Sequence, residues 1–186
     1  MAGRAVLDSL RPGDRAALVS FTQAVSLRSG MTSDLDQVRT ALDRNQPSGQ
    51  TSIIDASLAG LVVGTGDVGR ALMLMFSDGM DTASILSPAS VIDVARRTEV
   101  VAFGVATNKL RTAFLKDLAD ATGGDAVEIQ STAELRNTLV RLVNEYRQRY
   151  VLAYSPAGVA PTGYHSIKVS VSRKGATVKA RQGYQR

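Results

Sequence analysis

The sequence contains no cysteine. That excludes disulfides, thiolate zinc sites, iron–sulfur clusters and cysteine nucleophiles. Its one histidine, His165, excludes any site built from two or three imidazoles. No stretch approaches the roughly 18–20 consecutive apolar residues of a membrane-spanning helix. The first ten residues include Arg4 and Asp8 and form no signal-peptide core. Acidic residues are missing from one end of the chain. Residues 146–186 carry 8 Lys and Arg and no Asp or Glu, a balance of +8, whereas residues 1–145 carry 14 against 17, a balance of −3. The net charge of +5 therefore belongs to the C-terminal segment alone, on a mildly acidic body. With 186 residues, 44% of them hydrophobic, the chain can build one domain with a true core, or one domain and a small appendage.

Residues 1–145 alternate strand-like and helix-like segments. Residues 16–21 are a short apolar run after the turn Arg11-Pro12-Gly13-Asp14, and residues 24–28 alternate as a half-buried edge strand does. Thr32-Ser33-Asp34 offers an N-cap for a helix reaching about Asp43. A second helix is expected over 52–63, with Ile54, Leu58, Leu61 and Val62 on one face. Residues 71–76 and 100–106 are continuous apolar runs, the mark of strands buried on both faces. Pro88 suits the first turn of a helix begun at Ser87. A helix near 112–121 ends at Gly123-Gly124, a short strand covers 126–129, and a last helix spans 133–148. Helices alternating with such strands predict an α/β fold, a doubly wound and mostly parallel sheet, over residues 1–149.

Residues 150–186 read as a small basic antiparallel unit. Strands are expected over 150–154, 166–172 and 177–181, with Arg173-Lys174-Gly175 as the hairpin turn. Lys168, Lys174, Lys179 and Arg181 are spaced to face outward. They suit either an anionic partner or a solvated face that discourages edge pairing, and the second reading weighs more. Tyr154, Tyr164 and Tyr184 read as packing residues of the hairpin.

In an open parallel sheet, ligands bind beyond the carboxyl ends of the strands. The strand 71–76 delivers Ser77-Asp78-Gly79-Met80-Asp81-Thr82 to that edge, and Gly49-Gln50-Thr51-Ser52 brings the Thr51 hydroxyl to it. A hydroxyl, a carboxylate and waters are oxygen ligands of the kind Mg²⁺ takes. Ser-Asp-Gly is equally a good turn and Thr-Ser a good N-cap, and on chemistry alone those readings weigh more.

Several motifs, in order, resemble the von Willebrand factor type A (VWA) domains, and the bacterial VWFA-related group in particular. They are Leu10-Arg11-Pro12-Gly13-Asp14-Arg15 with Ala17-Leu18-Val19-Ser20-Phe21, Gly49-Gln50-Thr51-Ser52-Ile53-Ile54-Asp55-Ala56, and Leu74-Met75-Phe76-Ser77-Asp78-Gly79-Met80-Asp81-Thr82. Leu118-Ala119-Asp120-Ala121-Thr122-Gly123-Gly124, Tyr150-Val151-Leu152-Ala153-Tyr154-Ser155-Pro156 and Arg181-Gln182-Gly183-Tyr184 extend the likeness over nearly the whole chain. The resemblance implies a cation, Mg²⁺, at a metal-ion-dependent adhesion site (MIDAS). Thr51 and Asp78 match its later elements; the Asp-x-Ser-x-Ser of the first strand is absent. Residues 1–10 resemble the end of the first helix, so the strand before it, normally central, is expected to be missing. Weak or no metal binding, open sheet edges and self-association through them follow as expectations.

The resemblance implies a non-enzymatic protein-binding or adhesion module whose partner supplies a carboxylate, in an extracytoplasmic (secreted or periplasmic) setting, with no nucleic acid as partner. One alternative is Mg²⁺-dependent phosphoryl transfer by Asp78 and Asp81, for which no phosphate-cradling loop is present. Another is a metal-independent anion-binding module using the basic hairpin. Gly64-x-Gly66-x-x-Gly69 matches the dinucleotide fingerprint in letters but lies between a helix and a strand, the reverse of the order required. His165 reads as a surface residue, and no Gly-x-Ser-x-Gly supports a Ser-His-Asp site.

Overall fold

The computed structural model describes residues 2–46, 49–67, 69–77, 80–107 and 113–186. In chain order the elements are α1 (Ala2–Asp8), β1 (Ala16–Phe21), β2 (Val25–Thr32), α2 (Leu35–Asp43), α3 (Ile53–Thr65), β3 (Leu72–Ser77), α4 (Pro88–Ala95), β4 (Val101–Ala106), α5 (Ala113–Thr122), β5 (Asp125–Glu128), a 3-10 turn (Thr132–Glu134), α6 (Leu135–Arg147), β6 (Tyr164–Ser166) and β7 (Gly183–Gln185).

Local chemistry sets most of these boundaries. The Asp34 carboxylate accepts hydrogen bonds from the Asp36 and Gln37 amides, so α2 starts where the N-cap was read. The Ser87 hydroxyl accepts from the Ser90 amide, and Pro88 fills the first turn of α4, where a missing N–H costs nothing. The turn before β1 closes through the Asp14 amide on the Arg11 carbonyl, with Gly13 at φ 91°. Helix α5 stops at Gly123, whose φ of 78° is open to glycine at little cost. At Gly124 a Cβ would lie 1.7 Å from the Ala102 carbonyl oxygen, so only glycine lets β5 turn in beside β4.

Strands β3, β4 and β5 form a parallel sheet in that order; β1 and β2 form a separate antiparallel pair with irregular register near Ala16–Val19. On one face of the parallel sheet, Leu61 of α3, Val91 and Ala95 of α4, and Leu115 and Leu118 of α5 cover Ala102 and Ala106. On the other, Leu139 and Leu142 of α6 pack on Phe103 and Val105, with Val6 of α1 beside them. This alternation along β4 is what a strand buried on both faces requires. The α/β class, helices on both sides of a parallel sheet, is as the sequence indicated.

The C-terminal segment departs from the expected hairpin. Residues 150–154 form no strand, and the expected strands over 166–172 and 177–181 are not paired. The ladder instead joins β6 to β7 over three residues a side, extended by the Ile167 amide on the Gln182 carbonyl. The alternation is real: Ile167 and Val169 are half-buried and Lys168 and Ser170 exposed. Residues 171–180 are exposed, and an unpacked two-stranded ribbon holds poorly in water. The turn survives, with Gly175 at φ 74° and the Ala176 amide on the Arg173 carbonyl.

Two of the lysines and arginines expected to face outward face the body. Lys179 donates to Asp125 at 2.5 Å and to Glu145 at 3.4 Å. Arg181 reaches Glu99 at 3.0 Å and the Arg96 and Thr98 carbonyls at 3.1 Å each. The carboxylates that these cations lack in their own segment are supplied by the acidic body. Lys168 and Lys174 remain exposed, as read.

Candidate functional site

The amino end of α3 organises the edge of the molecule where β1 and β3 finish. The Ser52 hydroxyl, buried, donates to the carbonyl of Thr22 just past β1 at 2.7 Å. It makes no cap bond to its own helix, contrary to the N-cap reading of Thr51-Ser52. The cap comes from across the edge. The Ile54 amide donates to Asp81 Oδ2 at 3.1 Å, while the Ser84 amide and hydroxyl donate to the same carboxylate at 3.1 and 2.6 Å. Asp55 answers from the first turn of α3: its carboxylate accepts the Ile85 and Leu86 amides at 3.0 and 2.9 Å, and its own amide donates to the Ser84 hydroxyl at 3.2 Å. Two carboxylates at a helix amino terminus sit well with its dipole.

Thr51 lies in this network. Its amide donates to the Thr82 hydroxyl at 3.1 Å, and its carbonyl accepts the Thr82 and Ala83 amides at 2.8 and 3.1 Å. The Thr51 hydroxyl takes part in none of these three bonds. Ser77, the last residue of β3, is buried at the same edge. Asp78, the other expected ligand, follows Ser77 in the chain and lies outside the described residues. The structure bonds Thr51 to Thr82 and Ala83, in the segment that follows β3. It gives Asp81 a different task from the one considered, because both of its oxygens hold backbone and hydroxyl donors. Among the described residues, no group of three or more His, Asp or Glu side chains converges as a metal cage. Sequence reasoning missed Asp55 and Ser84; an acidic residue in the first turn of α3 was the available signal.

The basic segment lies at the opposite edge. The Gln185 amide donates to the Arg96 carbonyl at the end of α4, and Arg149 donates to the Gly123 carbonyl at the end of α5. His165 stacks on Tyr184 with ring centroids 5.0 Å apart, and it is half-buried rather than a surface residue. Near the same edge, Asp14 is held below the usual carboxylate range by the Arg11 amide and by Arg147. The glycines 64, 66 and 69 close α3 and lead into β3, which is not the order of a phosphate cradle.

Comparison with solved structures fixes the architecture. A von Willebrand factor type A protein from Catenulispora acidiphila superposes with a TM-score of 0.66 at 18% identity, over 76% of this chain. This chain has the von Willebrand factor type A fold. BatB from Bacteroides thetaiotaomicron matches with a TM-score of 0.61 at 14% identity, over 80% of this chain and 87% of BatB. Proximal thread matrix protein 1 of the mussel byssus, in a structure with a zinc-occupied MIDAS motif, matches at 0.58 and 21% identity, over 76% of this chain and 38% of that one. This chain spans 35% of the Catenulispora protein. No protein-family model and no curated protein matches the sequence. Among the described residues of this VWA-type domain, no helix is long and apolar enough to cross a membrane.

Proposed function

We propose that this VWA-type domain is a non-enzymatic protein-binding module of the bacterial VWFA-related kind, working outside the cytoplasm. Its contact surface is the edge built by Thr51, Asp78 and the segment 80–86. The observation that carries this reading is the clamp of Asp81 and Asp55 on that segment, which turns a loop into a fixed surface at the ends of β1 and β3. A partner carboxylate would meet it there. The zinc-occupied MIDAS motif of the mussel protein supports a metal role for this edge in VWA folds.

In this chain the edge holds a divalent cation weakly or not at all. Mg²⁺ demands near-octahedral oxygen ligation. The described residues offer the Thr51 hydroxyl, while Asp55 and Asp81 already accept the donors of the clamp. Asp78 and Thr51 would be its protein ligands, with water filling the remaining positions. The reading against phosphoryl transfer rests on the same point, since Asp81 is not free to serve as a second carboxylate.

Titration calorimetry of the full chain with MgCl2 and MnCl2 tests this. Dissociation constants in the millimolar range or weaker, reduced further in Asp78→Ala, are expected. Micromolar, stoichiometric binding would overturn the incomplete site. Mg²⁺-dependent release of phosphate from p-nitrophenyl phosphate that is lost in Asp78→Ala would overturn the non-enzymatic reading.

A further inference from the structure

Residues 150–154 follow α6 and join no strand. Their side chains stand in water. Tyr150 is 92% exposed, Val151 68%, Leu152 73% and Tyr154 59%, and Ala153 between them is exposed too. Among the described residues, the other exposed large hydrophobics stand singly, and single ones are ordinary on any surface. Five exposed apolar and aromatic residues in succession make a ridge.

The ridge lies at the edge where the parallel strands begin. Arg70, just before β3, donates to the Arg149 carbonyl at 3.4 Å, beside Tyr150. At the far end, Tyr154 comes within electrostatic reach of Tyr184 in β7. The next residue of β7, Gln185, is bonded to the Arg96 carbonyl between α4 and β4. Cations frame this ridge. The Arg70 guanidinium lies 4.9 Å from the centre of the Tyr146 ring, and that of Arg96 lies 5.0 Å from the centre of the Tyr164 ring. The carboxylates nearest to them in the chain are taken by other cations: Asp67 by Arg15, Asp93 by Arg97 and Glu99 by Arg181. Residues 146–186 add exposed Lys168, Arg173, Lys174 and Arg186 and no acidic side chain.

We propose that this edge is a docking surface for an anionic lipid bilayer. Tyrosine and aliphatic side chains beside arginines are the combination that the headgroup boundary accepts. The ridge enters the boundary of the acyl chains while the cations meet lipid phosphates. Water at that depth still satisfies the backbone of 150–154, which the hydrocarbon core would not. Each signal needs the other. A short ridge buries little area, and exposed cations hold an anionic surface only while salt is low. A nucleic-acid backbone would use the same cations and leave Val151 and Leu152 in water. Docking here turns the Thr51 and Asp81 edge, at the other end of the strands, away from the membrane. The inference is independent of the metal and of what binds at that edge.

The test is co-sedimentation of the full chain with vesicles of phosphatidylglycerol and phosphatidylcholine in equal parts, and with vesicles of phosphatidylcholine alone. Binding to the anionic vesicles should be at least about tenfold tighter than to the neutral ones, and should weaken as salt is raised to about 0.5 M. Tyr150→Ser combined with Leu152→Ser, at exposed positions, should lower it about tenfold with an unchanged urea midpoint. Arg70→Gln should lower it about fivefold. Leu27→Ser, exposed on β2, should change nothing. Because the chain has no cysteine, Leu152→Cys and Ile85→Cys each take an environment-sensitive dye at one known place. The dye at 152 should shift to the blue on anionic vesicles, and the dye at 85, exposed beside the Asp81 clamp, should not. The proposal is overturned if the anionic vesicles are not bound, or if both kinds are bound equally. Binding that the double serine variant keeps, or a blue shift at 85, also sinks it. Dimerisation without vesicle binding, lost in the double serine variant, would give the ridge to a second copy. Salt-sensitive binding to duplex DNA without vesicle binding would give the cations to nucleic acid. Either outcome replaces the proposal.

Discussion

Strands β3 and β4 lie side by side, run the same way and are both almost wholly apolar, yet they are not equally buried. From Ala102 to Ala106, β4 is shut off from solvent, while most of β3 is half-buried. Composition does not separate the two; neighbours do. Among the described residues, β4 has a strand on each side and β3 has one. An apolar run in a sequence states what a strand can tolerate, and only the layer around it decides how much surface leaves water.

The sharpest test of that contrast is a pair of truncations. Phe103→Ala, in β4, removes a fully buried ring and should cost about 3–5 kcal/mol in urea unfolding. Leu74→Ala, in β3, should fall at or below the low end of about 2–5 kcal/mol, because its side chain is already part-exposed. Equal losses would erase the distinction. Next comes Gly124→Ala, which drives a Cβ into the Ala102 carbonyl on the well-packed side. A loss of about 1–3 kcal/mol is expected, as for overpacking in a core. Gly30→Ala in β2, where a Cβ meets nothing within 4 Å, should stay within about 0.5 kcal/mol by the same assay.

Asp81→Ala should cost about 0.5–2 kcal/mol, the range of a lost helix cap, and should speed amide exchange at Ile54 and Ser84 specifically. The smallest effect belongs to the basic segment. The Asp125 carboxylate raises the Lys179 ammonium above its ordinary value. A raised folded value means that the contribution is complete below the unfolded pKa, about 10.4, and fades as pH climbs through the folded value. Limited proteolysis near residues 170–180 should therefore accelerate at strongly alkaline pH and not between pH 6 and 9. Lys179→Met should show the faster cleavage at every pH.

Much of the fold was readable because its determinants are local. Asp34, Ser87 and Gly123 end or begin helices through groups within a few residues of themselves. The runs 71–76 and 100–106 are apolar enough to mark both as strands of the sheet, though only the second is buried along most of its length. What was not readable depends on partners far along the chain. The Asp81 cap on Ile54 joins residues 27 apart, and the Lys179–Asp125 pair joins residues 54 apart. Nothing in either neighbourhood announces the other. The C-terminal strands were misplaced for a related reason. Their alternation is genuine, but alternation fixes which side chains turn inward and not whether a backbone partner stands alongside. At the candidate edge, Thr51 stands out by its position before α3 and Asp55 by its acidic place in the first turn, whereas Ser84 carries no motif and became visible only through the bonds it makes.

The clamp on residues 81–86 bears on speed as well as shape. A loop that must settle before it can be recognised slows encounter and loses affinity to the ordering of its own chain. Here the Thr82, Ala83, Ile85 and Leu86 amides are engaged before any partner arrives. On the proposal that this edge is a contact surface, association there should proceed at the ordinary rate for rigid docking, about 10⁵–10⁷ M⁻¹s⁻¹, and differences among partners should lie in how long each complex lasts.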